Sequence, residues 1–142
     1  MELRTYYDFA ENDYAFLKAA FAGGLMANSM GAMAQNVCER YIKHLINEYV
    51  NVTPENRHDV TEVLSTHNLN KLVTFWNGNS QYKISDETID EMRDINGYYF
   101  STKYPGDDAE TLTGEDIRDC IEAIDACKAN VDEIMREYNS GD

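Results

Sequence analysis

One long apolar stripe constrains this chain more than anything else in it. From Leu25 onward, Met26, Met30, Met33, Ala34, Val37, Cys38, Tyr41, Ile42, Leu45, Ile46 and Tyr49 recur in mostly alternating steps of three or four and one. At 3.6 residues per turn these positions line one side of about seven helical turns. A helix that is apolar along its whole length must be covered along its whole length, so the rest of the chain has to supply the cover.

The remaining segments also read as helices. Tyr14, Leu17 and Phe21 share a face over Asp13–Phe21, ahead of the breaking pair Gly23-Gly24. Thr53-Pro54-Glu55 has the order of an N-cap, a first-position proline and a first-turn acid, and predicts a helix running to Leu64. A further short helix begins near His67, turns Leu69, Leu72, Val73 and Trp76 inward, and stops at Asn77-Gly78-Asn79-Ser80. Ser85, followed by Asp86 and Glu87, caps a helix carrying Ile89, Met92 and Ile95. Thr113 opens the last helix, whose inner face is Ile117, Cys120, Ile121, Ile124, Val131, Ile134 and Met135. No useful β-alternation and no internal repeat interrupt the pattern. The expected fold class is all-α, a helical bundle with two long helices and several shorter ones, formed by residues 1–142 as a single domain.

Charge and composition exclude several function classes. The formal net charge is -14, and residues 107–142 alone hold twelve Asp/Glu against three Lys/Arg. Such a surface repels phosphate backbones and disfavours general nucleic-acid binding, though not a small nucleotide at a local basic spot. No apolar run of about 18 residues is present to span a bilayer, and Met1–Asp8 lacks a signal pattern, so a cytoplasmic location is expected. Cys120 and Cys127 lie about two helical turns apart, roughly 10 Å, too far for a bridge within one helix. With Cys38 they are expected to be buried free thiols. His44, His58 and His67 show no ligand spacing with them, so no metal site is expected. No glycine-rich phosphate loop, nucleophile triad or carboxylate–metal motif occurs, and no cofactor is expected.

Three groups of residues carry candidate chemistry. Tyr98-Tyr99-Phe100-Ser101-Thr102-Lys103-Tyr104-Pro105-Gly106 concentrates four aromatics and a lysine before a turn. It is either a corner in which Tyr99 and Tyr104 fill the end of the bundle or the edge of a binding site. Gln35, Glu39 and Lys43 form a polar row beside the apolar stripe, at i, i+4 and i+8. That row is either a helix-stabilising Glu39–Lys43 pair or the polar wall of a cleft facing Tyr99, Lys103 and Tyr104. In the cleft, Lys103 meets a phosphate and a tyrosine ring meets a base. His67 joins this set as a ligand-binding candidate, against a plainer role capping its helix or bonding nearby backbone. Arg40 and His44, at i and i+4, share a helix face, and a ribonuclease here would have to rest on them, with His as proton shuttle and Arg stabilising the phosphorane.

Three separated pieces resemble one family. Met33–Ile46 looks like the central helix of HEPN domains, often "HAQQAAEKALKALL". His67-Asn68-Leu69-Asn70-Lys71-Leu72 is similar to their "HDLxKL" helix start, and Tyr98–Gly106 to their "YY…TRYP" segment before the final helix. Order and separation match over roughly residues 10–138. The resemblance implies an up-and-down bundle with a four-helix core plus short helices, commonly homodimeric. It implies a function among toxin-type ribonucleases of toxin–antitoxin pairs, partners of minimal nucleotidyltransferases, and nucleotide-binding modules. The ribonuclease branch places four to six residues between an Arg and the His that follows it. Here Arg40 and His44 are separated by three residues, and Arg57 is adjacent to His58 and far short of His67. The expectation is therefore a non-catalytic binding or regulatory module, with a divergent metal-independent ribonuclease using Arg40 and His44 as one rival. A structural protein-interaction domain is the other.

Overall fold

The computed structural model describes residues 2–141, and the described part is helical without strands. Seven helices follow in order among these residues: α1 (Tyr6–Ala22), α2 (Ser29–Tyr49), α3 (Arg57–Leu64), α4 (Leu69–Asn79), α5 (Asp86–Arg93), α6 (Tyr98–Ser101) and α7 (Gly114–Ser140). The apolar stripe becomes α2, and α1, α7, α4, α6 and α3 all pack on it, while α5 rests on α7. Val37, Cys38, Tyr41, Ile42, Leu45 and Ile46 are fully buried. The helical bundle expected from the sequence is the one observed.

Element starts differ where capping chemistry decides. α1 begins seven residues before Asp13, because Thr5 and Asp8 form a reciprocal capping box: Asp8 N–H donates to Thr5 Oγ1 (3.0 Å) and Thr5 N–H to the Asp8 carboxylate (3.2 Å). α2 starts at Ser29, leaving Leu25 and Met26 exposed in the preceding loop, where Gly24 takes φ +86°. Thr53-Pro54-Glu55 does not open a helix. Thr53 and Asn56 bond reciprocally into a turn (2.7 and 3.3 Å), and α3 starts only at Arg57. Ser85 and Thr113 cap α5 and α7 as expected, Thr113 again through a box with Asp116.

The aromatic segment is a short helix pinned to its surroundings. Gly97, at φ +108°, turns the chain into α6. Asn28 then staples the return loop: its amide donates to the Thr102 and Glu110 carbonyls (3.0 and 2.8 Å), and its side-chain oxygen accepts from Leu112 N–H (2.7 Å). Gly31 on α2 lets this corner come close. A Cβ there would lie 2.6 Å from Leu112 Cδ1 and 3.0 Å from Thr102 Cγ2.

Candidate functional site

The seven residues singled out as ligand candidates meet in one connected array. It starts in the core rather than on a cleft wall, since Gln35, Glu39 and Lys43 are 0%, 1% and 7% exposed. Gln35 uses its whole amide. Its oxygen accepts from the N–H groups of Gly97 (3.0 Å) and Tyr99 (2.8 Å), and its nitrogen donates to the His67 carbonyl (2.6 Å) and Glu39 Oε2 (3.0 Å). One side chain of α2 thus fixes the approach to both α4 and α6. A buried amide with every bond made specifies a single arrangement.

Glu39 carries the array outward. Its Oε1 lies 3.0 Å from His67 Nδ1 and 3.7 Å from the Lys43 ammonium. A carboxylate only accepts, so in this contact Nδ1 bears a proton and donates it to Glu39. Burial pushes the Lys43 pKa down, and the Glu39 charge beside it pulls it partly back. His67 neither caps α4 nor bonds backbone with its ring. Asn68 is the N-cap, accepting from Lys71 N–H at 3.2 Å.

From His67 the array reaches solvent through stacked rings. His67 and Tyr99 lie 3.9 Å apart at an interplanar angle of 8°. The Lys103 ammonium sits 4.5 Å from the Tyr99 centroid and 5.7 Å from that of Tyr104. His67 stacks on Tyr99 and the Lys103 ammonium also reaches its hydroxyl (3.5 Å), so Tyr99 is already engaged within the array. Tyr104 does not fill the bundle's end, being 52% exposed, and it stacks loosely on Phe100, which is 57% exposed. Lys103 is exposed and forms no ion pair among the described residues. Chemically this is a cation held over aromatic faces and backed by a buried carboxylate.

Arg40 and His44 lie elsewhere. Both turn toward α1: Arg40 pairs with Asp13, and His44 is buried beside Tyr7 with its rings 5.5 Å apart. The ribonuclease rival requires both groups open in one cleft, and His44 is not. Around them runs a polar seam that the sequence reading missed. Lys128 of α7 contacts Glu11 (2.8 Å), Asp132 (3.0 Å) and the Tyr7 hydroxyl (2.9 Å), and Tyr41 donates to Glu11. Its only trace in the sequence is the Lys128–Asp132 spacing on one helix face, since Tyr41 falls within the apolar stripe.

His44 is expected to make the protein sensitive to mild acid. Its Nδ1 has no partner, and burial lowers its pKa below 6.5, with Glu48 and Asp8 opposing weakly. Below pH 6.5 the unfolded chain takes up a proton there that the folded chain resists, so this group's contribution to stability falls as pH falls. The slope is at most about 1.4 kcal/mol per pH unit. Urea unfolding at pH 7.5 and 5.5 is expected to show a smaller drop for His44→Gln than for the wild-type chain. Equal drops would remove His44 from the account.

The three cysteines are buried free thiols; burial raises that of Cys120 to about 12. Among the described residues no group of ligands suits a metal ion, and no helix is long and apolar enough to cross a membrane. The family model described as the HEPN domain matches residues 3–133, which takes in α1 through most of α7. No curated protein and no solved structure gives a significant match. The chain belongs to the HEPN family.

Proposed function

We propose that this HEPN chain is a non-catalytic binding module whose ligand face is the exposed side of His67, Lys103 and Tyr104, and that its ligand is anionic and nucleotide-like. Lys103 carries the reading. In a chain of net charge -14 it is an exposed ammonium, without an ion pair among the described residues, held over Tyr99 and beside Tyr104. A phosphate gains a charge-assisted contact there, and a base has the open ring of Tyr104 rather than Tyr99 to stack on. Gln35, Glu39 and Lys43 act as supports that hold His67 and Tyr99 in place. The homodimer implied by the family resemblance belongs to the same proposal, and Phe9 and Phe16, exposed at i and i+7 on α1, offer it apolar side chains.

A thermal-shift series with AMP, ADP and ATP tests the ligand. At a hundred times Kd, binding adds about 2.7 kcal/mol, which raises the melting temperature by roughly 10 °C for a chain of this size. Lys103→Ala is expected to abolish the shift while leaving the free protein within about 0.5 kcal/mol of wild type. No shift with any of the three, at millimolar concentration, sinks the nucleotide reading.

A further inference from the structure

Next to the Lys103 face, α6 presents a second surface that shares only Tyr104 with the nucleotide reading. Gly97, Phe100, Ser101 and Tyr104 fall at i, i+3, i+4 and i+7, on one side of the α6 turn, and with Pro105–Ala109 they line a groove of about 540 Å³. Lys103, Tyr99 and His67 do not line it. Its floor is the exposed faces of Phe100 and Tyr104, and its rim carries Asp107 and Asp108, which form no ion pair among the described residues. The far wall is already in place. Glu110 N–H donates to the Ser101 carbonyl (2.7 Å), Ala109 N–H to that of Gly106 (3.1 Å), and Asn28 holds the loop from behind.

We propose that this groove docks an arginine-bearing segment of a protein partner. Aromatic rings beside free carboxylates suit a flat cation. A guanidinium stacks on a ring face while its edge reaches a carboxylate with two parallel N–H bonds. An ammonium is more strongly hydrated and gives only a point contact, so lysine fits less well. An anion would meet Asp107 and Asp108, and a neutral apolar group would strip water from both without pairing them. The charge pattern selects a chain rather than a lone small cation. The groove adjoins the start of α7, and residues 107–142 carry twelve acids against three bases, so an extended basic segment is drawn along a surface that a single guanidinium cannot use.

The test is fluorescence anisotropy at physiological salt with a labelled peptide alternating Arg and Ser, and its Lys counterpart, with no nucleotide present. The Arg peptide is expected to bind about tenfold more tightly than the Lys peptide. Phe100→Ala, Tyr104→Ala and the pair Asp107→Asn with Asp108→Asn are each expected to weaken it by about tenfold. The pair Glu133→Gln with Glu137→Gln removes the same charge from exposed positions near the far end of α7, away from the groove, and is expected to weaken binding by no more than about twofold. All the altered side chains are exposed, so the variants fold. The proposal is overturned if the Arg peptide does not bind, or if Arg and Lys peptides bind alike. It is also overturned if both charge pairs weaken binding equally, which is diffuse attraction to an acidic protein. None of these results bears on Lys103 and nucleotide, whose test contains no peptide.

Discussion

Replacing Glu39 with Ala is expected to lower unfolding stability by about 3–5 kcal/mol, a large part of the roughly 5–15 kcal/mol available to a folded domain. The loss comes less from the missing contact than from what remains behind. Lys43 is 7% exposed and keeps its ammonium beside no carboxylate, while His67 Nδ1 and one bond of Gln35 lose their acceptor. An uncompensated buried charge is the expensive outcome, whereas a buried pair exchanged as a whole for apolar groups is often tolerated. Lys43→Met alone is expected to be milder, at about 1–2 kcal/mol, because Glu39 still accepts from His67 and Gln35. Glu39→Leu combined with Lys43→Met should lie within about 2 kcal/mol of wild type, and a double-mutant cycle in urea built from Glu39→Leu, Lys43→Met and their combination reads the coupling directly. If the double variant is instead as unstable as the two single losses summed, Glu39 and Lys43 do not act as a pair. The same substitution reports on function, since without Glu39 nothing fixes the His67 ring beneath Tyr99, and the nucleotide shift assigned to Lys103 should weaken in the double variant even where the fold survives.

That coupling bears on how much of the site could be seen in sequence. The residues were legible: Gln35, Glu39 and Lys43 at i, i+4 and i+8, His67 before a helix, and Tyr99, Lys103 and Tyr104 before a turn. Their depth was not. A polar row beside an apolar stripe reads as half-solvated, because helix spacing sets direction around the axis but not what packs against that side. Here α4 and α6 both close over it, and the row becomes a buried anchor instead of a cleft wall. Arg40 and His44 show the same limit. Their spacing places them on one face, but that α1 covers this face depends on pairing between distant segments, seen in Arg40–Asp13. Helix identity follows local periodicity in every segment except α6, whose four residues are too few to show a period. The starts of α1 and α3 differ from the sequence reading because the deciding bonds are single side chains: an Asp where a capping box usually has Glu, and an Asn at position 56 that bonds back to Thr53 N–H, so that Thr-Pro-Glu forms a turn leading into α3 through the Arg57 N–H to Thr53 carbonyl bond (3.0 Å).

The other large effect lies far along α4 from His67. Trp76→Ala is expected to destabilise by about 3–5 kcal/mol and to lower the melting temperature by roughly 10–20 °C. Trp76 is fully buried, donates its indole N–H to the Tyr82 carbonyl (2.9 Å), and meets the ring of Tyr138 edge-on at 5.9 Å. Tyr138 in turn stacks on Tyr49 at 4.5 Å, takes the edge of Tyr82 at 4.9 Å, and shares a hydrogen bond with Ser80 (2.7 Å). The ends of α2, α4 and α7 and the loop before α5 are therefore tied through one aromatic knot, and removing its largest member leaves a cavity that four segments border. Trp76→Phe keeps an aromatic ring in place but loses the donor and part of the buried area, so its effect should be about 2 kcal/mol. Because Trp76 is the one tryptophan in the chain, unfolding has to be followed by circular dichroism. Equal effects of the two substitutions would mean that the hydrogen bond to Tyr82, not the packed ring, holds this end together. Well below its melting temperature the Ala variant is still expected to bind nucleotide as the wild type does, since Gln35, Glu39 and Asn68 fix the His67 end of α4 independently of the knot. Stability and binding would then be separable along a single helix, with the knot serving the fold and the Glu39 array serving the ligand face.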